Sequence, residues 1–347
     1  MNKFLSFITA KEKKIAVKRE QNTEDYFYVL DGWRGISIML VLAAHLLPLG
    51  PSFLQLNFTS GVIGMSIFFI LSGFLITNFL IHRPNVHDFF IRRILRIIPL
   101  AWLYLIIAFP ILNIDLSKLA PHFFFYANYP PMDLVHGTSH FWSLCVEIQF
   151  YLTIGLLFLL FREKAFIILV IGCFLITANR MVDGVHVAIN TYYRVDEILA
   201  GVILSLVYND KGLGFLQKFL RAVNPYFALL ALFVASHPEG GFVNYFRPYI
   251  AAVLVGSTLY NINSSLLTYL NARVLVYLAS VSYALYVIHP LLVNTWFGSG
   301  DTLEKYLKRP ILFVVLFVLA HLSTFYYEKY WINLAKRMTK RKPSKQS

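Results

Sequence analysis

The sequence predicts an all-α polytopic membrane protein with about ten transmembrane helices. Of its 347 residues, 58% are hydrophobic and only 14% are charged, whereas ordinary soluble domains contain about 25% charged residues. Apolar runs recur from about residue 35 to about residue 330 with short polar breaks. Most of these runs approach the roughly 20 residues that a membrane-spanning helix needs. Together these observations exclude an ordinary soluble domain and predict one integral membrane domain.

Each predicted span is a run of mostly apolar residues bounded by polar or turn-forming ones. Several of them are short or interrupted, notably the fifth, sixth and seventh. The ten predicted spans cover residues 35–50, 61–81, 97–113, 141–161, 164–180, 193–208, 224–237, 248–263, 274–297 and 311–330.

The distribution of lysine and arginine predicts the orientation of the chain. If the N-terminus is inside, 24 of the 31 Lys and Arg residues fall on the cytoplasmic side, as the positive-inside rule requires. The sequence therefore predicts a cytoplasmic N-terminal segment (1–28), a transmembrane domain (29–332) and a basic cytoplasmic tail (333–347). Basic tails beside a membrane typically contact anionic lipids, so we expect membrane lipids and no nucleic acid as partners.

Three ionisable residues lie inside apolar runs, where charge is costly and functional roles are common. They are His45, Glu147 and His289, and a rise of about 1.5 Å per residue puts them at similar depths. A carboxylate that faces His45 would fix one tautomer and favour proton acceptance, so Glu147 is the predicted partner of His45. His289 precedes Pro290, and the favoured interpretation is that His289 caps carbonyl groups at a helix kink.

A second cluster of basic residues lies at the predicted cytoplasmic edge. Arg92, Arg93 and Arg96 precede the third span, and Arg34 enters the first span from the same side. Helical spacing puts Arg96 on one face with its neighbours, and paired guanidiniums bind phosphate groups well. The alternative is that these arginines serve only as a positive-inside signal. The spacing of His, Cys, Asp and Glu residues predicts no metal site.

Five stretches of the sequence resemble the integral membrane acyltransferase 3 family, in the same order along the chain. Their coverage extends from roughly residue 25 to residue 330. The stretches are LDGWRGISIMLVLAAH (30–45), GMSIFFILSGFLI (64–76), FFIRRILRIIPLAWLY (89–104), HFWSLCVEIQFYL (140–152) and VSYALYVIHPLL (281–292).

The resemblance implies roles for individual residues. His45 resembles the proposed catalytic histidine of the family, Arg34 its companion, and Glu147 the acidic residue of the WSL..E helix. Arg93 and Arg96 resemble the arginine pair of the donor site. Arg92, Ser72 and Gly73 are predicted to complete the donor site, with Gly73 making room for the acyl arm. Residues expected to support the site are Ser143, Tyr151, Arg194, Tyr283 and His289.

The resemblance also implies the reaction. Family members transfer acetyl or other acyl groups from acyl-coenzyme A to hydroxyls of extracytoplasmic acceptors. We therefore expect acetyl-CoA as co-substrate, no permanently bound cofactor, a glycan or lipid-linked glycan as acceptor, and a bacterial cell membrane as the location. Many relatives carry an additional C-terminal esterase-like domain, so this membrane domain is expected to recognise the acceptor. Direct transfer and an acyl-histidine intermediate both remain open, and a transporter with a buried proton relay is the alternative function.

Overall fold

In a computed structural model, residues 28–211, 214–261 and 265–339 are described, and every regular element within them is a helix. Ten helices overlap the ten predicted segments, and we number these α1 to α10. They are α1 (Tyr28–Leu46), α2 (Leu56–His82), α3 (Val86–Ile111), α4 (Phe141–Phe161), α5 (Lys164–Val182), α6 (Asp196–Tyr208), α7 (Pro225–Ser236), α8 (Arg247–Tyr260), α9 (Arg273–Val293) and α10 (Thr302–Leu322).

Shorter helices connect or extend these ten. The helix Thr191–Arg194 precedes α6, Gly214–Ala222 precedes α7, and Ser265–Leu270 precedes α9. A π-helical turn, Ser323–Glu328, joins α10 to the helix Lys329–Met338. The other short helical segments are Ser52–Leu54, Leu116–Lys118, Leu119–Phe123, Pro238–Phe246 and Trp296–Gly298.

Seven helices of the described residues are long and apolar enough to cross a membrane, or eight if one bent pair counts as a span. The seven are α1 to α5, α9, and α10 with its extension to Met338. By contrast, α6, α7 and α8 contain 13, 12 and 14 residues, which is shorter than the roughly 20 residues of a typical span. The chain is thus a multi-pass helical protein, and the count of ten spans stays a prediction.

Two helix boundaries differ from the prediction in ways that affect the site. Helix α1 begins at Tyr28 and ends at Leu46, so His45 lies in its last turn instead of near the middle of a span. Helix α3 begins at Val86, eleven residues before the predicted start, and the side chain of Asn85 caps it by accepting a hydrogen bond from the Asp88 N–H at 3.2 Å. Polar residues obscured this start in the sequence, because the span was predicted from hydropathy alone.

Helix α2 lies at the centre of the fold and packs against both α1 and α6. The contact with α6 depends on two glycines, since a Cβ atom on Gly73 would collide with the carbonyl oxygen of Ile198, and one on Gly201 would collide with that of Ile70. Gly73 therefore permits close helix packing. The prediction that Gly73 makes room for an acyl arm is wrong, because the space beside Gly73 is filled by α6.

The predicted terminal segments fall largely outside the described residues. Of the N-terminal segment 1–28, only Tyr28 is described, and it is the first residue of α1. Of the tail 333–347, residues 340–347 lie outside the described residues, whereas the part up to Met338 belongs to the helix Lys329–Met338.

Candidate functional site

A cavity of about 100 Å³ between α1, α2, α3, α4 and α9 brings together most of the predicted site residues. We call it the arginine cavity. Among its lining residues, three guanidinium groups face one carboxylate, which leaves excess positive charge. The charged lining residues are Arg34, Arg93, Arg96 and Glu147. The other predicted site residues that line it are Ser72, Ser143, Tyr151 and Tyr283.

Glu147 is held inside the arginine cavity by two hydroxyl groups. The Ser72 Oγ donates a hydrogen bond to Glu147 Oε1 at 2.5 Å, and the Tyr151 hydroxyl donates to the same oxygen. The Arg93 guanidinium lies over the Tyr151 ring, 5.9 Å from its centre. The carboxylate therefore belongs to the arginine cavity, and the predicted contact of Glu147 with His45 is wrong.

A second cavity of about 220 Å³ adjoins the arginine cavity at Arg93 and Arg96, which line both. We call it the Lys336 cavity, since Lys336 from the C-terminal helix lines it together with Arg92. The Arg92 Nε donates a hydrogen bond to Thr339 Oγ1 at 2.9 Å. Four cationic side chains thus surround this cavity, and Arg92 lies here and not in the arginine cavity.

A third cavity of about 590 Å³ also adjoins the arginine cavity. We call it the histidine cavity, because His45 and His140 line it. It shares Met65 and Tyr286 with the arginine cavity. Trp142 and Arg194 are also in its wall. Its volume is within the range of small-molecule binding sites.

His45 forms a hydrogen bond with another histidine. Its Nδ1 lies 2.9 Å from His289 Nε2, and the two ring planes differ by only 13°. The His289 Nδ1 in turn lies 3.1 Å from the carbonyl oxygen of Leu285. His289 is 2% exposed, whereas His45 is exposed. His289 thus contacts a helix carbonyl, as the sequence predicted. It is also the partner of His45, a role that the sequence analysis assigned to Glu147.

These contacts define one tautomer for each neutral ring. A carbonyl oxygen can only accept, so the hydrogen of neutral His289 is on Nδ1, and its Nε2 carries the lone pair. His289 Nε2 then accepts from the Nδ1–H of His45. The lone pair of His45 is consequently on its own Nε2, where a proton acceptor is needed for general-base chemistry.

The remaining supporting residues have structural contacts around the cavities. The Tyr283 hydroxyl donates to the Ile97 carbonyl at 2.6 Å. The Ser143 Oγ and the Tyr286 hydroxyl are 2.5 Å apart, and the Tyr286 hydroxyl also donates to the carbonyl of His140 at 2.7 Å. These bonds join α4 to α9 at the boundary between the arginine and histidine cavities.

Sequence reasoning missed three residues of this boundary region. Met65 and Tyr286 separate two cavities, and His140 lines the histidine cavity with its ring 5.9 Å from that of His289. All three lie in the stretches that carry the family resemblance. Methionine and tyrosine are common in membrane helices for packing reasons, so residue type alone gave no signal, whereas His140 precedes a span and was detectable as an ionisable residue.

Comparisons with known proteins agree with the family resemblance. The family model described as an acyltransferase domain, that of the acyltransferase 3 family, matches residues 27–328. The putative peptidoglycan O-acetyltransferase YrhL of Bacillus subtilis is 27% identical over 88% of this chain and 55% of its own length. The O-acetyltransferase OatA of Staphylococcus aureus is 26% identical over 80% of this chain and 52% of its own length.

A third relative, the peptidoglycan O-acetyltransferase OatA of Listeria monocytogenes, is 29% identical over 53% of this chain and 34% of its own length. The matches thus span between about one third and just over half of these curated relatives. No solved structure matches the chain. Because the family model covers most of the chain, including α1 to α10, the chain belongs to the acyltransferase 3 family.

Proposed function

We propose that the chain transfers an acetyl group from acetyl-CoA to a hydroxyl group of a cell-envelope glycan, of which peptidoglycan is the first candidate. The names of the relatives support this acceptor class. One structural observation carries the proposal. Three cavities share lining residues in series: Arg93 and Arg96 line both the Lys336 cavity and the arginine cavity, and the arginine cavity shares two further residues with the histidine cavity, whose wall includes His45.

The charges along this path suit the parts of the donor. Arg93 and Arg96 line both the Lys336 cavity and the arginine cavity, so they are placed to bind phosphate groups at the junction. The slender thioester arm then has to pass Met65 and Tyr286 to approach His45. Coenzyme A is polar at one end only, which fits a path that is cationic at one end and mostly apolar in its larger cavity.

The reaction step follows from the tautomer of His45. Its Nε2 accepts the proton of the acceptor hydroxyl while the hydroxyl oxygen attacks the thioester carbonyl. The carbon–sulfur bond then breaks, and the proton passes to the departing coenzyme A thiolate, so that an ester and free coenzyme A result. His289 stabilises the imidazolium less than a carboxylate would, but it fixes the orientation of the ring.

The proposed orientation has both termini in the cytoplasm and ten spans, with the chain in a bacterial cell membrane. The Lys336 and arginine cavities then open toward cytoplasmic acetyl-CoA, and the histidine cavity lies toward the extracytoplasmic acceptor. The asymmetry of Lys and Arg residues supports this orientation.

The experiment is acetyl transfer by the purified chain in lipid vesicles, with acetyl-CoA and soluble peptidoglycan fragments. We expect ester formation by the wild-type chain, and a loss of about 10²- to 10⁴-fold in His45→Ala, since a positioned base contributes that much. Protection against thermal unfolding by coenzyme A should persist in the variant. Full transfer by His45→Ala would contradict the proposal.

A further inference from the structure

Five charged side chains form a buried cluster beside the histidine cavity. Arg180 pairs with Asp196 at 2.5 Å, while Arg194 and Arg247 both pair with Glu197, at 3.2 and 2.8 Å. Each of these five side chains is at most 2% exposed. Three cations and two anions leave the cluster with one excess positive charge. Buried charge of this kind is costly unless a partner neutralises it.

The excess charge is available to a ligand at Arg194. Among the residues that the structure describes, Arg194 Nε and Nη1 have no hydrogen-bond partner. Arg194 is also the one member of the cluster in the wall of the histidine cavity. Arg180 and Arg247 each donate to the carbonyl oxygen of His186, at 2.6 and 3.2 Å. The Nη1 of Arg247 also has no hydrogen-bond partner among the described residues, but Arg247 does not line the histidine cavity.

Aromatic residues hold the Arg194 guanidinium in place. It lies 5.3 Å from the centre of the Trp142 ring and 6.0 Å from that of Phe69. Trp142 lines the histidine cavity as well. The cavity thus combines an aromatic face, which suits a sugar ring, with a cation whose planar donors suit a carboxylate or a phosphate.

We propose that the acceptor is an anionic glycan, whose carboxylate or phosphate binds at Arg194 while its hydroxyl group lies at His45. This inference rests on the proposed acetyl transfer and adds the chemical class of the acceptor. A carboxylate would belong to the sugar or its attached peptide, and a phosphate to the link between a sugar and a lipid carrier. In either case the anion neutralises the excess charge of the cluster.

The test compares matched acceptors that differ by one charge, with the full chain in lipid vesicles and acetyl-CoA as donor. The first pair is the methyl glycoside of N-acetylmuramic acid and the methyl ester of the same compound. The second pair is octyl N-acetylglucosaminyl phosphate and octyl N-acetylglucosaminide. We expect kcat/KM to be about tenfold higher for the charged member of at least one pair, equivalent to about 1.4 kcal/mol. The preferred pair identifies the source of the anion.

Variants assign the preference to Arg194. In Arg194→Gln, the ratio of kcat/KM for the charged acceptor to kcat/KM for the uncharged acceptor should fall toward one. Arg194→Lys should retain part of the preference for the charged acceptor. The ratio is insensitive to the fraction of folded protein, because both acceptors are measured on the same preparation. Arg221→Gln removes an arginine on the helix Gly214–Ala222, away from the cavity, and should leave the ratio unchanged.

The possible failures are distinguishable. Equal use of both members of both pairs by the wild-type chain would overturn the inference and leave acetyl transfer standing. A preference that survives in Arg194→Gln would also overturn it. If no acceptor is acetylated at all, the proposed function itself fails, and the inference fails with it.

Discussion

Two cavities that meet at Met65 and Tyr286 carry different kinds of polar group. The arginine cavity is small, and its polar side chains are charged and joined by hydrogen bonds around Glu147. The histidine cavity is about six times larger, and its wall presents the imidazole of His45 together with one cation, Arg194. This difference supports the proposed division of roles, in which the three arginines of the arginine cavity hold the donor and the imidazole of His45 acts as the base.

Variants of His289 and Glu147 are expected to have the largest effects that distinguish the roles of the two cavities. His289→Leu removes the acceptor for the His45 Nδ1–H, so we expect kcat to fall about 10- to 100-fold, less than loss of the base itself. Donor affinity should not change. His289→Gln restores an acceptor oxygen and should recover part of the activity. The measurement is kcat and donor KM for both variants.

Glu147→Gln is the matched test in the arginine cavity. Because Glu147 bonds to Ser72 and Tyr151, its variant should raise the donor KM more than it lowers kcat. The sequence predicted Glu147 as the partner of His45, whereas His289 is the residue that contacts His45. A kcat effect larger for Glu147→Gln than for His289→Leu would contradict the division.

The arginine cavity makes the next prediction. Arg96→Lys keeps the positive charge that a topology signal needs but loses the planar pair of donors, so donor affinity should fall roughly tenfold, or about 1.4 kcal/mol. Arg96→Ala should weaken the donor further. Binding of acetyl-CoA by calorimetry checks both values. Unchanged affinity in Arg96→Lys would favour the interpretation that these arginines serve topology alone.

The smallest expected effect concerns the boundary between the arginine and histidine cavities. Met65 is 9% exposed and lines both cavities, so Met65→Ala should widen the path for the acyl group. We expect the rate with butyryl-CoA, relative to acetyl-CoA, to rise by about threefold to tenfold, since pocket contacts with a methylene are worth about 1 kcal/mol. Val62→Ala, which alters the histidine cavity only, is the control. An unchanged ratio in Met65→Ala would place the acyl path elsewhere.

Particular residues show what the sequence could and could not predict. All ten helical segments were predictable, because hydropathy over about 20 residues reports burial in lipid or protein. Glu147 was also identified, since charge in an apolar run is costly, and Arg34, Arg93 and Arg96 were identified because they cluster at the predicted cytoplasmic edge. Depth estimates along single helices could not predict that these four residues meet in one cavity.

Contacts between distant helices were not predictable. His45 and His289 are 244 positions apart, and their pairing depends on how α1 crosses α9. Gly73 was assigned to the donor site because glycine allows close approach, but the sequence does not say which atoms approach. The buried arginine cluster was missed for the same reason, apart from Arg194. Its carboxylates, Asp196 and Glu197, pair with arginines from α5 and α8, and no spacing rule in the sequence connects these helices.

Sidedness of the reaction tests the central claim most directly. Sealed vesicles are prepared with the chain in one orientation, established by protease access to its termini, and with an impermeant glycan acceptor on the side of the histidine cavity. We predict acetylation only when acetyl-CoA is supplied on the opposite side, toward which the proposed orientation directs the Lys336 cavity. Equal acetylation with acetyl-CoA on either side would contradict the account, because the polar end of the donor would then reach His45 without passing the arginine cavity.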